Sequence, residues 1–557
     1  MDARADKRDL GPPEDQEWII QDKEVREYVR ESTHGVGSIV RSSLGPESLE
    51  KMIRTRDYQD RPETVITADA DQIIDAIHRG DGFNDPVAAL FIDSVDAMQR
   101  SLGDGTATSV ILAEALVDRG LDLIDSGIHP NTVVSGYAIA ASHTGDILDD
   151  LARECAPTDQ EILEHVARTA MTDTLSDDVR SDYARYAAET VGALASATDG
   201  AWLDTEMIDV RAVTDLDQEL YQGVIASRRP IAIEEDERSH TDFDWTPSIE
   251  GVRNDVTVAL LDQEITVAET TTPTTEDRAT SPGQLTRDRN VYQQRCEELA
   301  RNLAESGVDI LVSQDRIDVP IQKALANAGV TTIDGVKYPK EDIHRLAEAT
   351  GGAVMSSLSD LSLEVLGTAG SVREIVREDE KWTIFAECEG TAFTLVIPVG
   401  LDSTGRRHER IVSKAIEVGA VAAMDKQVLP GAGAPASSVI RSWRQDRWSV
   451  PDRTQLAVTE YTNALEDYLR ILARNAGLDP IDTVATLTAA EDGRGTGIDL
   501  DTGAPLDPWE EGIIEPRRVF SQAIETARAI TEQLLTLDAI FYPDVDLSQF
   551  TPVEEHE

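Results

Sequence analysis

The stretch of this 557-residue chain most suggestive of chemistry is GDGTAT at 103–108. It comes directly before a predicted helix, so its backbone N–H groups and the positive helix end favour phosphate oxygens. Gly103 and Gly105 would let a ligand approach the backbone closely. Asp104 would repel phosphates unless a divalent cation lay between them, and Mg²⁺ binds through one or two carboxylates together with phosphate oxygens. Alone, GDGT is a common turn and only rarely marks a phosphate-binding site.

Three further stretches have the composition of tight turns. They are VRSSLGP at 40–46, PGAGAP at 430–435 and GLDPIDT at 477–483. Each of these stretches could by itself be an ordinary turn, because glycine and proline are common in loops. In this order and at these separations, the four stretches resemble the group II chaperonins, the archaeal thermosome family. The resemblance runs from about residue 20 to about residue 545 and is closest in the outer thirds of the chain.

The resemblance implies a single ATP site built from these separated stretches. Its nucleotide-binding candidates are Leu44, Gly45, Pro46, Gly103, Asp104, Gly105, Thr106, Ala107, Thr108, Gly431 and Gly433. Two later stretches, GIDLDTGAPLD at 497–507 and GIIEP at 512–516, resemble the family's adenine and ribose contacts. There Asp499 and Glu515 are the candidates for contacts with a hydroxyl or the base. Asp104 is the candidate ligand of Mg²⁺.

Hydrolysis of ATP needs an acidic side chain that orients or deprotonates water. Family members have one such residue in an NDG segment, with which TVITAD aligns Asp69. A second stands in a helix that HERIVSKAI at 408–416 matches, but Lys414 occupies its position. Either the subunit is a slow or inactive ATPase, or Lys414 points away and another acid such as Glu417 or Asp402 takes the role. We favour slow hydrolysis, since Glu417 lies almost a full turn from the expected position.

The elements that must position these residues are helices at both ends of the chain and an α/β centre. ETVITAD at 63–69 predicts a strand. Helical periodicity covers 85–102, with Pro86 where a first turn tolerates proline, and a more apolar helix follows GDGT. From about residue 210 to about residue 370 strands alternate with helices, which indicates an α/β domain. Long amphipathic helices return over 438–541.

This layout resembles the chaperonin plan of a helical equatorial, a small intermediate and an α/β apical domain. The implied segments are 1–152 and 421–557 for the equatorial domain, 153–216 and 371–420 for the intermediate domain, and 217–370 for the apical domain. The polar stretches 234–251 and 270–284 have the composition of disordered loops. The resemblance implies instead that they form a lid protrusion over a central cavity.

Charge and composition restrict the partners. With 105 acidic against 51 basic residues, the net charge is -54, so a nucleic-acid backbone would be repelled. The acidic residues are spread over every region, which is typical of a protein from a salt-rich cytosol where screening weakens self-repulsion. We therefore expect a halophilic source and no nucleic-acid partner.

Cysteines and hydropathy add two expectations. The three cysteines have no CxxC or Cys/His spacing, so neither zinc nor structural disulfides are expected. The first residues lack the apolar core of a signal peptide, and no later apolar run approaches the roughly 20 residues that span a bilayer. We expect a soluble cytoplasmic protein without a membrane partner.

The leading functional hypothesis is an ATP-binding subunit of a double-ring chaperonin that binds non-native polypeptides and homo- or hetero-oligomeric chaperonin partners. A regulatory or structural paralogue without significant ATPase activity is the first alternative. A small-molecule phosphotransferase is an alternative of another class, but His34, His129 and His408 are isolated and provide no second catalytic cluster. A scaffold that has lost nucleotide binding is disfavoured by the retention of Asp69 and GDGT.

Overall fold

The computed structural model describes most of the chain. The described residues are 19–21, 23–56, 62–79, 85–172, 175–198, 200, 202–214, 217–228, 249–266, 282–336, 342–377, 380–400, 405–445, 450, 452–489 and 495–541. They divide into two compact units. One takes its residues from Met1–Val191 and Ile411–Glu557, and the other from Gly192–Arg410.

Helices provide most of the first unit and cover the sheet of the second. In chain order they are α1 (Lys23–Val40), α2 (Ala70–Arg79), α3 (Pro86–Leu102), α4 (Thr106–Asp125), α5 (Pro130–Leu151), α6 (Gln160–Ala170), α7 (Asp177–Ala197), α8 (Pro282–Glu305), α9 (Val319–Asn327), α10 (Asp342–Thr350), α11 (Gly405–Asp425), α12 (Ala434–Gln445), α13 (Thr454–Asn475), α14 (Pro480–Ala489) and α15 (Arg517–Leu535).

The strands are short in the first unit and longer in the second. In chain order they are β1 (Ile19–Gln21), β2 (Lys51–Arg56), β3 (Pro62–Thr67), β4 (Arg153–Glu154), β5 (Ile208–Val213), β6 (Glu219–Gln222), β7 (Val224–Arg228), β8 (Val252–Leu261), β9 (Ile310–Ser313), β10 (Thr331–Ile333), β11 (Val354–Met355), β12 (Gly367–Arg377), β13 (Glu380–Ala386), β14 (Phe393–Pro398), β15 (Gln427–Pro430), β16 (Gly497–Ile498), β17 (Pro505–Leu506), β18 (Ile514–Pro516) and β19 (Ala539–Phe541).

The first unit is a helical assembly around α4. This helix packs against α1, α13 and α15, and its apolar residues Val110, Ile111 and Leu112 are buried in a core shared by both chain segments. Short antiparallel pairs tie the segments together: β1 pairs with β19, and β15 joins β4 to β18. Residues from opposite ends of the chain therefore fold as one unit.

Local sequence explains the α3–α4 corner. Asp85 caps α3, where its Oδ1 accepts the Val87 N–H at 2.8 Å, and Pro86 occupies the first turn. At the other end Gly103 adopts a left-handed conformation with φ 68°, which ends the helix. The helices predicted over 85–102 and after GDGT are confirmed.

The second unit contains a seven-stranded sheet in the order β10-β9-β8-β12-β13-β7, with β11 also pairing with β8. Strands β8, β9 and β10 are parallel, whereas β12 is antiparallel to β8 and β13. Alternate residues of β8 enter different cores: Val258 and Leu260 pack with α10, and Ala259 and Leu261 pack with α8 and α9. The predicted α/β centre is confirmed.

A separate three-stranded sheet of this unit has the order β5-β14-β6. Residues 229–248 and 267–281, which carry most of the two polar stretches predicted to form a lid, lie outside the described residues. The lid and the five-segment domain division stay predictions. None of the described helices combines the length and the hydropathy that crossing a bilayer requires.

Candidate nucleotide site

The first and third glycine turns meet on one helix, α13. A Cβ atom on Gly45 would lie 2.7 Å from Leu472 Cδ1. A Cβ atom on Gly433 would lie 2.7 Å from Leu469 Cδ2 and 3.4 Å from Leu472 Cδ2. Both glycines have positive φ, 88° and 75°, a conformation that other residues adopt only with strain. The backbone conformation therefore favours glycine at both positions, and a Cβ atom would also force the leucine side chains of α13 to move.

The end of α13 also fixes the first turn. The Asn475 side-chain amide donates hydrogen bonds of 2.9 Å to the carbonyls of Arg41 and Leu44. Leu44 is buried in the helical core, and Pro46 is exposed at the turn. Of this stretch, the backbone around Gly45 and the ring of Pro46 are thus the parts that remain available to a ligand.

The GDGTAT turn presents the start of α4. Gly105 has φ 93° and provides no side-chain cap, and Thr106 begins the helix in a buried position. A Cβ atom at Gly105 would overlap Met98, so the turn cannot carry a larger residue without rearrangement. Ala107 and Thr108 are partly buried in the first turn of α4. The predicted combination of glycine turn and helix N-terminus is present and can attract an anion.

Tyr468, one helical turn before Leu472 on α13, connects GDGTAT to GIIEP. Its hydroxyl is hydrogen-bonded to the Thr108 side chain, and burial raises its pKa, as do the charges of Glu515 and Asp104. Burial and the Asp104 charge raise the pKa of Glu515 to about 8. Thr108 therefore contacts this tyrosine directly, and the charges of Asp104 and Glu515 act on it.

The β15–β18 ladder positions Glu515 beside the third turn. Leu429 lies opposite Glu515 in the ladder, and the Gly431 N–H donates to the Ile513 carbonyl at 2.7 Å. A Cβ atom on Gly431 would lie 3.0 Å from Ile513 Cγ2. Gly431 therefore serves the packing of this ladder, while Gly433 approaches α13.

Asp499 lies near this turn but is occupied locally. The Ile498 N–H donates to the Ala432 carbonyl at 2.9 Å, which joins the two stretches. The Asp499 carboxylate accepts hydrogen bonds from the Thr502 hydroxyl at 2.7 Å and from the N–H groups of Asp501 and Thr502, and these bonds lower its pKa. A contact to a nucleotide hydroxyl would have to compete with this turn.

Lys414 points into the acidic side of the site. Its Nζ lies 2.9 Å from Asp69 Oδ2 and 3.4 Å from Asp104 Oδ1. Asp69 follows β3, and its Oδ1 accepts the Asp71 N–H at 3.1 Å, which holds the carboxylate at the start of α2. The geometry supports the interpretation of slow hydrolysis, because the second interpretation required Lys414 to point away. Asp402 lies outside the described residues.

Two further carboxyl groups interact electrostatically with this ammonium. Burial raises the pKa of Asp71 to about 7, with a further increase from Asp69 and a decrease from Lys414. Burial also raises the pKa of Glu417, which Lys414 opposes. A Cβ atom on Gly103 would lie 2.8 Å from Glu417 Oε2, so Glu417 lies against the GDGTAT turn. Sequence reasoning considered Glu417 but missed Asp71.

The side chains of the candidate site could hold a metal ion only together with the phosphate groups of a bound nucleotide. Within the described ranges, no group of three or more His, Cys, Asp or Glu side chains could hold a metal ion. The Asp104 side chain is 37% exposed, so one of its oxygens could join a Mg²⁺ that phosphate oxygens hold. Any such ion would have the Lys414 ammonium as a close neighbour.

These features define a class of protein: a helical unit made from two chain segments, an α/β unit inserted between them, and glycine turns gathered on one helix. The model of the TCP-1/cpn60 chaperonin family matches residues 36–543. A thermosome subunit of Methanopyrus kandleri is 33% identical over 512 residues, which cover 91% of this chain and 89% of that protein. Thermosome subunit 1 of Haloferax volcanii is 32% identical over 511 residues, with 91% and 86% covered. The chain belongs to the TCP-1/cpn60 chaperonin family.

The predicted resemblance to group II chaperonins is thereby confirmed. The chain is a chaperonin subunit that assists protein folding, as the sequence analysis predicted. The family match does not favour the alternatives, a paralogue without significant ATPase activity or a small-molecule phosphotransferase.

Proposed function

We propose that this chaperonin subunit binds ATP with Mg²⁺ in the helical unit and couples nucleotide binding to the folding of non-native polypeptides. The single observation that supports this most is the convergence on α13. Leu472 contacts the turns of Gly45 and Gly433, and Tyr468 connects GDGTAT to Glu515. Gly45 and Gly433 lie 388 positions apart (433 − 45), and their left-handed glycine backbones both approach the same face of α13, which supports a shared site there.

The triphosphate would bind at the start of α4. The N–H groups of the first helical turn and the left-handed backbone at Gly103 and Gly105 offer donors to phosphate oxygens. Asp104 would hold Mg²⁺, which supplies charge neutralisation at the phosphates when bound. The backbone around Gly45 and the ring of Pro46 would bind one side of the nucleotide, with Leu44 packed behind them, and Gly433 would bind the other side, with Asp499 and Glu515 near the sugar and base.

Hydrolysis at this site would be slow. An amine held at 2.9 Å from Asp69 is a protonated donor and cannot accept a proton from water. The same contact neutralises Asp69, the one of the two expected water-orienting acids that this chain retains. Tight nucleotide binding with slow turnover is the expected combination.

The assembly would be a double ring of identical or related subunits in the cytoplasm of a halophile. Equatorial segments 1–152 and 421–557, intermediate segments 153–216 and 371–420, and an apical segment 217–370 with a lid remain our proposed division. Client polypeptides would bind at the apical segment. No nucleic acid is expected to bind, because the net charge is -54.

The test is single-particle imaging at high salt with and without ATP, combined with calorimetry of ATP and a non-hydrolysable analogue. We expect ring-shaped particles, saturable binding of both nucleotides, and recovery of a denatured client enzyme that depends on nucleotide. Monomeric particles that bind neither nucleotide would contradict the proposal.

A further inference from the structure

One lysine lies among four carboxyl groups in this site. The Lys414 ammonium is within 3.4 Å of both Asp69 and Asp104, and its charge also acts on Asp71 and Glu417. The Lys414 side chain is only 16% exposed, so solvent and salt screen its interactions weakly. A bound metal cation would be stabilised between the Asp69 and Asp104 carboxylates. In this protein the Lys414 ammonium occupies that position.

An aspartate inside an anion site creates a specific electrostatic cost. The Asp104 carboxylate lies in the turn before α4, where phosphate oxygens would bind, and like charges at short range repel. A cation must reduce this repulsion for a nucleotide to bind. An ion from solution has to be recruited for each binding event, whereas a lysine is already in place at no cost of association.

We propose that Lys414 acts as a built-in counterion to Asp69 and Asp104, so that the affinity of this subunit for ATP depends little on Mg²⁺. The inference rests on the proposed nucleotide site. Mg²⁺ can still bind with ATP, but removing it leaves Asp104 neutralised by the ammonium. The subunit therefore retains ATP as a metal-free anion.

The experiment is calorimetric titration of the full-length protein with ATP, once in excess MgCl₂ and once in excess EDTA, at matched high ionic strength. For the wild type we expect the Kd to differ by less than about threefold between the two solutions. For Lys414→Met we expect Kd in EDTA to be at least about tenfold weaker than in Mg²⁺, because two carboxylates lose their counterion.

Two control variants isolate the charge at this position. Lys414→Arg keeps a cation and should retain the weak dependence on Mg²⁺. Lys23→Met removes the same charge from the exposed first residue of α1. Lys23 lies about 26 Å along the helix from Val40, where α1 ends before the Gly45 turn, so this variant should behave as the wild type. Ring assembly and thermal unfolding of each variant establish that it is folded.

The wild-type titrations alone can overturn the inference. ATP binding in Mg²⁺ that disappears in EDTA would refute the role of Lys414 and leave the proposed function intact. A Lys414→Met variant with the same dependence on Mg²⁺ as the wild type would also refute it. Absence of ATP binding in both solutions would refute the nucleotide site itself.

Discussion

The binding side and the reactive side of the candidate site differ in how far they depart from the family. On the binding side Gly45, Gly105 and Gly433 all keep a glycine in a left-handed conformation. On the reactive side Lys414, where the resemblance to the family implies an acid, forms an ion pair with Asp69. In the proposed site, holding a nucleotide and cleaving it would therefore be separable requirements, one met by backbone geometry and the other by a single side chain.

The two sides also tolerate change differently. A side chain at Gly45 or Gly433 would meet atoms of α13 and strain the backbone, so the fold itself resists substitution. Replacing an acid by lysine at position 414 leaves the helix intact and gains a hydrogen bond to Asp69. A change in catalysis is therefore easier to accommodate than a change in binding.

The largest effect is expected from Lys414→Asp, which restores the acid that the family pattern has. A carboxylate at this place can accept a proton from water, and a general base contributes about 10²- to 10⁴-fold to rates. We expect steady-state phosphate release to rise at least about tenfold. Lys414→Met, which removes the charge without adding an acceptor, should not raise it. Brisk hydrolysis by the wild type, unchanged by either substitution, would contradict the separation of the two sides.

The next effect concerns the binding side. Gly433→Ala places a methyl group 2.7 Å from Leu469 Cδ2 at φ 75°. Gly251→Ala is a matched control, because Gly251 has a similar φ of 73°, its added methyl group would meet no atom within 4 Å, and it lies outside the stretches assigned to the site. Both should lose about 1–2 kcal/mol of stability through backbone strain. Only Gly433→Ala should also weaken ATP binding, by about tenfold or more. Equal affinities in calorimetry would show that the Gly433 turn does not contact the ligand.

A pH profile sharpens the comparison at Glu515. Its pKa of about 8 in the folded protein lies above the ordinary glutamate value, so the native state keeps a proton that the unfolded chain releases. Stability from this group is therefore lost as pH rises from about 4.5 to about 8. The whole shift would correspond to about 4–5 kcal/mol, but Glu515 is only partly buried and solvent screens it. Relative to Glu515→Gln, the wild type should therefore lose on the order of 1–2 kcal/mol of unfolding free energy over that range. Chemical denaturation at several pH values measures this, and parallel profiles would exclude the shift.

The smallest effect is expected at Tyr468. Tyr468→Phe removes the hydrogen bond to Thr108, which should cost about 0.5–1.5 kcal/mol of stability. Tyr461→Phe is the matched control on the same helix, where the hydroxyl lies 3.1 Å from Thr144 Oγ1 in the core. Thermal unfolding should shift similarly in both, while ATP affinity falls a few-fold only in Tyr468→Phe. A loss of affinity in both variants would indicate a general effect of α13.

The turns and the helix ends of the site could be predicted because their signals are local. Asp85 and Pro86 mark the start of α3, and Gly103 and Gly105 mark the corner before α4. The α/β centre could be predicted because strands and helices alternate there. Strand β2 was missed, since its sequence KMIRTR has charges at every second or third position and pairs only with β3.

The role of α13, whose residues border the Gly45 and Gly433 turns of the candidate site, could not be predicted. Tyr468 and Leu472 belong to an amphipathic helix, and an apolar helix face has the same sequence pattern whether it packs in a core or backs a pocket. Asp71 was missed because it is one of 105 acidic residues, so its type carries no signal. Its electrostatic interaction with Lys414 depends on the tertiary structure, in which Lys414 of α11 bonds to Asp69, two residues before Asp71.

The discontinuous helical unit has a consequence during synthesis. Gly105 and Gly433 are 328 positions apart (433 − 105), which at roughly 5–20 residues per second corresponds to about 16 to 66 seconds of translation. Throughout that interval α4 lacks α13 and α15, the helices that cover Val110, Ile111 and Leu112 in the finished unit. The inserted α/β unit, which is continuous in sequence, can complete its own sheet first. A nascent subunit of this kind exposes a long apolar helix until the segment Ile411–Glu557, 147 residues long (557 − 411 + 1), has left the ribosome.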